Sequence, residues 1–500
     1  MNIRHISGKT SIRTSNNRAN KNKKRPNKKR PGWKIYQSRL KKSQARAKSV
    51  RKWLKGSILF IFLAVTVYGI TGKPSDSAVH APEPRSSLPK LIDHPAAVPL
   101  NNIPPNPAHD IPAHDLIDKN DIQDFIDKDL LNNIKERNFD IDFDGRQFHI
   151  GTTIDPALQN FILSSMRHEN ARYIGIVAIN PQNGEILSLA GYDKENPGRN
   201  PCIENIFPAA SIFKIITAAA VVEKYGFTSD TAIAYKGGKH TLYKYQLKKQ
   251  PKNHVQLITL QDSFAQSVNP VFGKLGVHYL GKTDLETFAK AFGFKRSFHF
   301  EIPVEPSVIS ISEQPFHLAE IASGFNRTTA ISPLHGALIT SAITSGNGKI
   351  LEPYLIERIS DKSGRIIYQN CSSTTNQAVK PKTARIVKKL MKETVLTGTC
   401  RKAFRGYKKN PVLSRLDIGG KTGSINSRKH EGQRFDWFVG FANEKKGDKQ
   451  IVLSVIVVHK DFIGIKARQY AKMIFEEYYK NYFTEKLTAL RPFDKLRERQ

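Results

Sequence analysis

A serine stands three residues ahead of a lysine, Ser211 and Lys214, in the stretch "FPAASIFKIITAAA". On a helix, positions i and i+3 share a face, so hydroxyl and ammonium can meet. A serine that attacks a carbonyl needs a base, and lysine can serve only when it is kept neutral. Desolvation among Ile212, Phe213 and Ile215 pushes Lys214 that way, and a second cation close by would add to it. A helix N-terminus also turns backbone N–H groups toward a developing oxyanion. The spacing alone is weak, because Ser-x-x-Lys recurs at Ser38–Lys41, Ser49–Lys52 and Ser87–Lys90. Those three lie in polar or proline-rich stretches, and only Ser211 heads an apolar helical pattern.

Two further motifs follow in the chain. Ser267-Val268-Asn269, in "ITLQDSFAQSVNPVFGKLG", reads as a helix ending at Asn269-Pro270, where proline forces a turn. Ser-x-Asn recurs at Ser15, Ser345 and Ser424, and by itself the motif reads better as a helix C-cap. In a functional reading, Ser267 relays a proton to a leaving amine and Asn269 holds a substrate amide. Lys421-Thr422-Gly423-Ser424, in "LDIGGKTGSIN", contains the only Lys-Thr-Gly of the chain. A glycine-flanked apolar strand carrying these residues suits an extended substrate along a sheet edge. Lys421 would be the second cation, and Thr422 and Ser424 could bind a carboxylate. An ordinary glycine turn is the plainer alternative. At Lys421 a phosphate-binding loop is excluded because the Gly-x-x-x-x-Gly-Lys spacing is absent there, with Arg415 where the first glycine would stand, and no His-Glu-x-x-His occurs among the fifteen histidines.

The ordered set Ser-x-x-Lys, Ser-x-Asn and Lys-Thr-Gly resembles that of the penicillin-binding proteins and serine β-lactamases. The chain is similar to the transpeptidase domain of penicillin-binding proteins over about 330 residues, Ile150 to near Phe483, in further segments too. These include "TTIDPALQ", "AINPQNGEILSLAG", "ITLQDSFAQSVN", "ISPLHGALITSAITSGNGKILEPYLI", "VLTGTCRKAF" and "DWFVGFA". The resemblance implies Ser211 as acylated nucleophile, Lys214 as its base and Ser267 as proton shuttle. It implies Asn269 as a substrate-amide ligand, and Lys421, Thr422, Gly423 and Ser424 as the site for a D-alanine or β-lactam carboxylate. The backbone N–H groups of Ser211 and Ser424 would form the oxyanion hole. The implied reaction is cross-linking of peptidoglycan stem peptides, with no cofactor and no metal, beside a partner glycosyltransferase.

These residues need a scaffold, and the rest of the sequence outlines one. "YIGIVAINPQNGEILSLAGY" places two apolar strands around Asn183-Gly184, a strong hairpin signal, and "DWFVGFANEKKGDKQIVLSVIVVHK" gives a second pair. "TTIDPALQ" opens a helix with Asp155 as cap and Pro156 at its first position, and residues 467–483 form a closing amphipathic helix. Strands at both ends with a helical middle predict an α+β fold, one antiparallel sheet flanked by helices. The resemblance implies the penicillin-binding/β-lactamase-like transpeptidase form of that fold, with an all-helical subdomain. The domain is expected over 150–485, after a small packing element at 114–149 whose residues 115–137 show helical spacing.

The remainder is compositionally distinct. Of a net charge of +35, residues 1–55 supply twenty Lys and Arg against no Asp or Glu, leaving +15. The run "KNKKRPNKKRPGWK" is polar and broken by prolines, which predicts a disordered tail rather than a nucleic-acid-binding module. Residues 56–72, "GSILFIFLAVTVYGITG", are uncharged and read as a single membrane span with the basic side cytoplasmic. That predicts a catalytic domain on the outer, periplasmic face of a bacterial inner membrane. Ten prolines in the 73–113 linker predict an extended spacer, and 486–500 a charged tail. The short interval between span and domain predicts no glycosyltransferase and no full-sized pedestal domain. Cys202, Cys371 and Cys400 allow one disulfide. Cys400 stands where a small residue is usual in the resembled family, and Ser424 where threonine is commoner. Water as acceptor would make the enzyme a D,D-carboxypeptidase or endopeptidase. A serine β-lactamase and a β-lactam sensor share the acylation machinery.

Overall fold

The computed structural model describes residues 117–126, 129–248, 255–371, 374–428, 430 and 433–497. The basic tail, apolar span and proline-rich linker expected before residue 114 lie outside these. Among the described residues, no helix is long and apolar enough to cross a membrane.

The centre is a five-stranded antiparallel sheet made of β1 (Ala171–Ile179), β2 (Ile186–Asp193), β3 (Leu416–Asn426), β4 (Arg434–Glu444) and β5 (Gln450–His459). Its order is β3-β4-β5-β1-β2, so the first and last parts of the domain join side by side at the β5–β1 pair and β3 forms an edge. The β1–β2 hairpin turns at Gly184, whose φ is +87° as the Asn-Gly signal requires. Strand β5 is apolar at nearly every position because both faces are covered. Val452, Ile456 and Val458 join one core cluster, while Ile451, Leu453, Val455 and Val457 join the other. That division follows the two-residue period of a strand.

Helices cover each face. On one side lie α1 (Pro156–Ser165) and α8 (Ala467–Arg497), the latter burying Tyr470, Ile474, Phe475 and Tyr479. The Asp155 carboxylate caps α1 by accepting from the Leu158 N–H at 2.9 Å, with Pro156 in the first turn. On the other side lie α2 (Lys214–Tyr225), α3 (Leu260–Ala265), α4 (Asn269–Leu275), α5 (Pro315–Ser323), α6 (Pro333–Thr344) and α7 (Pro381–Leu396). Helix α2 is buried continuously from Lys214 to Val222, which an all-round apolar sequence allows. This helical lobe also holds a ribbon pairing Ala232–Tyr235 with Gln256–Thr259.

Three local expectations are corrected. Helical structure in the 115–137 stretch is confined to Lys119–Phe125, within the described residues. It is followed by a hairpin, Asn138–Phe143 and Arg146–Thr152, whose second strand pairs with Ile356–Asp361, itself paired with Ile366–Gln369, in a four-stranded sheet. Strand Arg146–Thr152 therefore runs across residue 150. Its partner lies two hundred residues away, which local periodicity cannot register. The closing helix continues past Phe483 to Arg497.

Candidate active site

Ser211 lies in a single 3-10 turn, Ala210–Phe213, that feeds into α2. Lys214 is the first residue of α2 and fully buried. Its Nζ lies 2.9 Å from Ser211 Oγ and 2.7 Å from Asn269 Oδ1, and it contacts the Ser323 carbonyl. Burial holds the Lys214 amine well below the ordinary lysine value, and Lys421 lowers it further. A neutral amine has two hydrogens and one lone pair. Asn269 Oδ1 and the Ser323 carbonyl can only accept, so they take the two hydrogens. The lone pair is left for the Ser211 hydroxyl.

The Ser267 segment differs from its expected form. Helix α3 stops at Ala265, not at Asn269-Pro270. The Ser267 N–H donates to Phe264 O and the Val268 N–H to Ser263 O, with Ser267 at φ +55°. This is the pattern of a Schellman cap, with serine at the left-handed position glycine usually takes. Pro270 then sits in the first turn of α4 and opens a helix instead of closing one. The left-handed turn of this cap delivers Ser267 Oγ to 3.0 Å from Lys421 Nζ. Asn269 is buried, with Nδ2 donating to the His240 carbonyl at 3.1 Å as well as Oδ1 facing Lys214.

The Lys-Thr-Gly segment is continuous strand, not a turn. Lys421 is fully buried, its Nζ also donates to the Thr422 carbonyl at 3.0 Å, and burial pushes its pKa down to about 7. Gly423 faces Ala210, where an added Cβ would stand 3.3 Å from the Ala210 Cβ, so β3 and the Ser211 turn lie in close contact. Trp437 on β4 donates its Nε1–H to the Pro208 carbonyl at 2.9 Å and fixes the chain entering that turn. The hydroxyls of Thr422 and Thr399 lie 2.6 Å apart, and Ser424 Oγ lies 3.1 Å from Asp436 Oδ1. Thus Ser211, Lys214 and Asn269 form one hydrogen-bonded group and Ser267, Lys421 and Thr422 another, joined through His240, whose carbonyl accepts from Asn269 and whose Nδ1 lies 3.3 Å from the Ser267 carbonyl oxygen, with Gly423 and Ser424 following along the β3 edge. A separate hollow of about 490 Å³, lined by Tyr173, Phe207, Phe435 and Lys460 among others, opens beside the β3–β4 connection and includes none of them.

Three contributors escaped the motif reading. The Ser323 carbonyl touches Lys214, and a backbone oxygen carries no sequence signature. Gly324 closes α5 in a second Schellman cap, with its N–H on Ile321 O and the Phe325 N–H on Glu320 O. Glycine after an apolar helical run was the available signal for that stop. Thr399 is positioned by its N–H to Ala265 O at 3.0 Å, beside Gly398, where a Cβ would stand 2.3 Å from the same oxygen. All three cysteines are free, Cys202 and Cys400 buried and Cys371 exposed, so the optional disulfide does not form. Among the described residues, no group of three or more His, Cys, Asp or Glu could hold a metal ion.

A serine hydroxyl beside a buried, neutral lysine is chemically equipped for acyl transfer, and sequence comparison gives the family. The family model "Penicillin binding protein transpeptidase domain" matches residues 174–480. The chain therefore belongs to the penicillin-binding transpeptidase family. Among curated relatives, stage V sporulation protein D of Bacillus subtilis is 26% identical over 327 residues, covering 61% of this chain and 49% of that protein. Penicillin-binding protein 1A of Neisseria lactamica is 28% identical, covering 53% of this chain and 30% of its own length. The chain thus spans half or less of these relatives. The peptidoglycan D,D-transpeptidase PbpA of Mycolicibacterium smegmatis is 24% identical, covering 63% of this chain and 68% of its own. The fold is shared with PBPA of Mycobacterium tuberculosis, at TM-score 0.54 and 22% identity, covering 66% of this chain and 81% of that one. It is shared also with the D,D-transpeptidase domain of a peptidoglycan glycosyltransferase from Eggerthella lenta, at TM-score 0.55 and 21% identity, covering 73% and 91%.

Proposed function

We propose that this protein is a peptidoglycan D,D-transpeptidase that cross-links stem peptides through an acyl-enzyme on Ser211. The observation that carries the reading is the hydrogen-bond set of Lys214, whose two acceptor partners leave its lone pair for the Ser211 hydroxyl. Ser211 Oγ attacks the carbonyl of the penultimate D-alanine while its proton passes to Lys214 Nζ. The backbone N–H groups of Ser211 and Ser424 take the oxyanion. As the peptide C–N bond breaks, a proton reaches the leaving amine by way of Ser267, and free D-alanine departs. An amine on a neighbouring strand then attacks the ester, forms the cross-link and returns the proton to Ser211. Lys421, Thr422 and Ser424 bind the terminal carboxylate or its counterpart in a β-lactam, and Asn269 orients the substrate beside Lys214.

In the cell, the apolar stretch at 56–72 would hold the enzyme in the cytoplasmic membrane with the catalytic domain outside, beside a glycosyltransferase that makes the glycan strands. Protease treatment of spheroplasts tests the orientation: the domain should be digested while the basic tail stays protected. Product analysis tests the reaction itself. Incubation with polymerised peptidoglycan should give dimeric muropeptides and free D-alanine. Trimmed monomers alone would make the enzyme a carboxypeptidase, and rapid release of a bound penicillin would make it a β-lactamase.

A further inference from the structure

Strand β3 is an edge, so alternate residues turn both backbone groups away from the sheet. Two carbonyls show which residues these are. Thr422 O accepts from Lys421 Nζ at 3.0 Å, and Asn426 O accepts from Arg327 Nε at 2.8 Å. Ser424 lies between them with the same parity, so its N–H and C=O face outward too. The outward carbonyls on either side of Ser424 are both engaged by cationic side chains, which leaves that of Ser424 for a ligand strand.

The loop after α5 places Arg327 there. Asn326 is buried, its Oδ1 accepts the N–H groups of Thr328 at 3.1 Å and Thr329 at 2.8 Å, and its Nδ2 donates to Glu320 O at 3.3 Å. Gly324 of the same loop abuts the Ser211 turn, so nucleophile and guanidinium share one support. Arg327 is half-buried, and among the described residues no carboxylate stands within ion-pair distance of it. Burial and then Arg428 lower its pKa, while Glu320 acts the other way more weakly, so its surroundings are cationic on balance. Its Nε–H is spent on Asn426, and the four N–H groups of Nη1 and Nη2 have no protein acceptor among the described residues.

The direction of the acyl donor follows from the proposed chemistry. Its terminal carboxylate lies toward Lys421 and Thr422, and the oxyanion of the acylated residue at the Ser424 N–H. The chain before the acylated residue therefore runs the other way, past Ser424 toward Asn426. At about 3.3 Å per residue it meets the guanidinium one or two residues upstream. A continuing sheet edge would offer a carbonyl there, whereas Arg327 offers only donors and a positive charge. We propose that Arg327 is a specificity-determining residue that binds a carboxylate carried by the acyl donor just before its acylated D-alanine. Stem peptides with an acidic group at that residue are then preferred to those with only an amine there. The proposal rests on the reading of Ser211 as the acylated nucleophile and of the β3 edge as the track of the donor peptide.

The test compares acylation of the full chain by carbenicillin and by benzylpenicillin, which differ by one carboxylate on the side-chain carbon next to the amide. That carbon takes the place of the residue before the acylated D-alanine, and both molecules keep the ring carboxylate. Arg327→Gln retains a donor for Asn426 O and removes the charge. It should lower the carbenicillin-to-benzylpenicillin ratio of second-order acylation constants about tenfold, the scale of one charge-assisted hydrogen bond. Should Arg327→Gln fail to fold, Arg327→Lys, which lacks the planar fork, is read in the same way with a smaller fall. Arg434→Gln removes a cation that stands opposite Asn426 on β4 and should leave the ratio unchanged. A flat ratio, with both penicillins slowed alike, would make Arg327 only a brace for β3 and overturn the proposal. An equal fall in Arg434→Gln would overturn it too, by showing a general positive field rather than a site. In both of those outcomes the wild type still acylates at Ser211 and the proposed function stands; no acylation by either penicillin removes both.

Discussion

Gly324 and Ala210 meet so closely that a Cβ on Gly324 would stand 1.8 Å from the Ala210 carbonyl oxygen and 3.1 Å from the Ser211 nitrogen. Both residues are left-handed, at φ +65° and +47°. The α5 cap therefore abuts the turn that carries Ser211, while the preceding carbonyl, that of Ser323, contacts Lys214. Nucleophile and base are thus held from one backbone corner. Left-handed conformation at a non-glycine residue is costly, and Ala210 keeps it because its surroundings impose it.

Gly324→Ala should accordingly act on both stability and the site. Steric overlap plus a left-handed alanine predicts a loss of about 3 kcal/mol or more. Denaturant unfolding measures it, and acylation by a fluorescent penicillin should fall further than the unfolded fraction explains. A loss below about 1 kcal/mol with normal acylation would mean the corner relaxes freely.

The pH dependence of acylation follows from the two lysines. Lys214 acts as base only when neutral, so the rate rises with pH through its folded-state pKa. Burial and then Lys421 lower that pKa, so the rise should be complete well below the range of a free lysine. In Lys421→Met one depressing influence is gone, the Lys214 pKa goes up, and the acid limb of the profile should move to higher pH. The position of the limb is the measurement, since removing Lys421 also lowers the amplitude.

Thr399 is predicted to matter through Thr422. With their hydroxyls 2.6 Å apart, one hydrogen is spent between them, and Thr399 decides whether Thr422 has a proton to offer a ligand. Thr399→Val should reduce benzylpenicillin acylation by about fivefold, the scale of one hydrogen bond, with little change in thermal unfolding. Equal rates for wild type and variant would remove Thr399 from the site.

The thiols offer an independent check of packing. Cys400 is buried, with its pKa pushed up to about 12, and burial raises Cys202 as well, whereas Cys371 is exposed. A thiol-specific reagent should therefore titrate one group per native chain quickly and all three in denaturant. Two fast thiols in the native protein would contradict the packing of the 398–404 loop against the sheet.

Much of this was legible in the sequence because it is local or periodic. The Asn183-Gly184 hairpin, the Asp155-Pro156 helix start and the apolar run of β5 each follow from residues within a few positions. The pairing of Lys214 with a distant cation was legible for another reason. A neutral lysine required one, and Lys-Thr-Gly occurs once. What escaped depends on contacts distant in sequence or on backbone atoms. The Asn138–Thr152 hairpin is held by strand Ile356–Asp361, and Lys214 leans on the Ser323 carbonyl. Pro270 misled because proline both ends helices and begins them, and only the Ser267 cap decides which. Asp436 was visible as a lone acid in an apolar run, but its partner Ser424 became evident only with the strand register.

The central claim is that Ser211 is the nucleophile and Lys214 its base. Mass spectrometry of the full chain incubated with benzylpenicillin tests it directly. The account predicts one adduct per chain, located on the peptide containing Ser211, lost in Ser211→Ala and formed slowly in Lys214→Met at pH 7. An adduct on any other residue, or undiminished acylation of Ser211 in Lys214→Met, would contradict it.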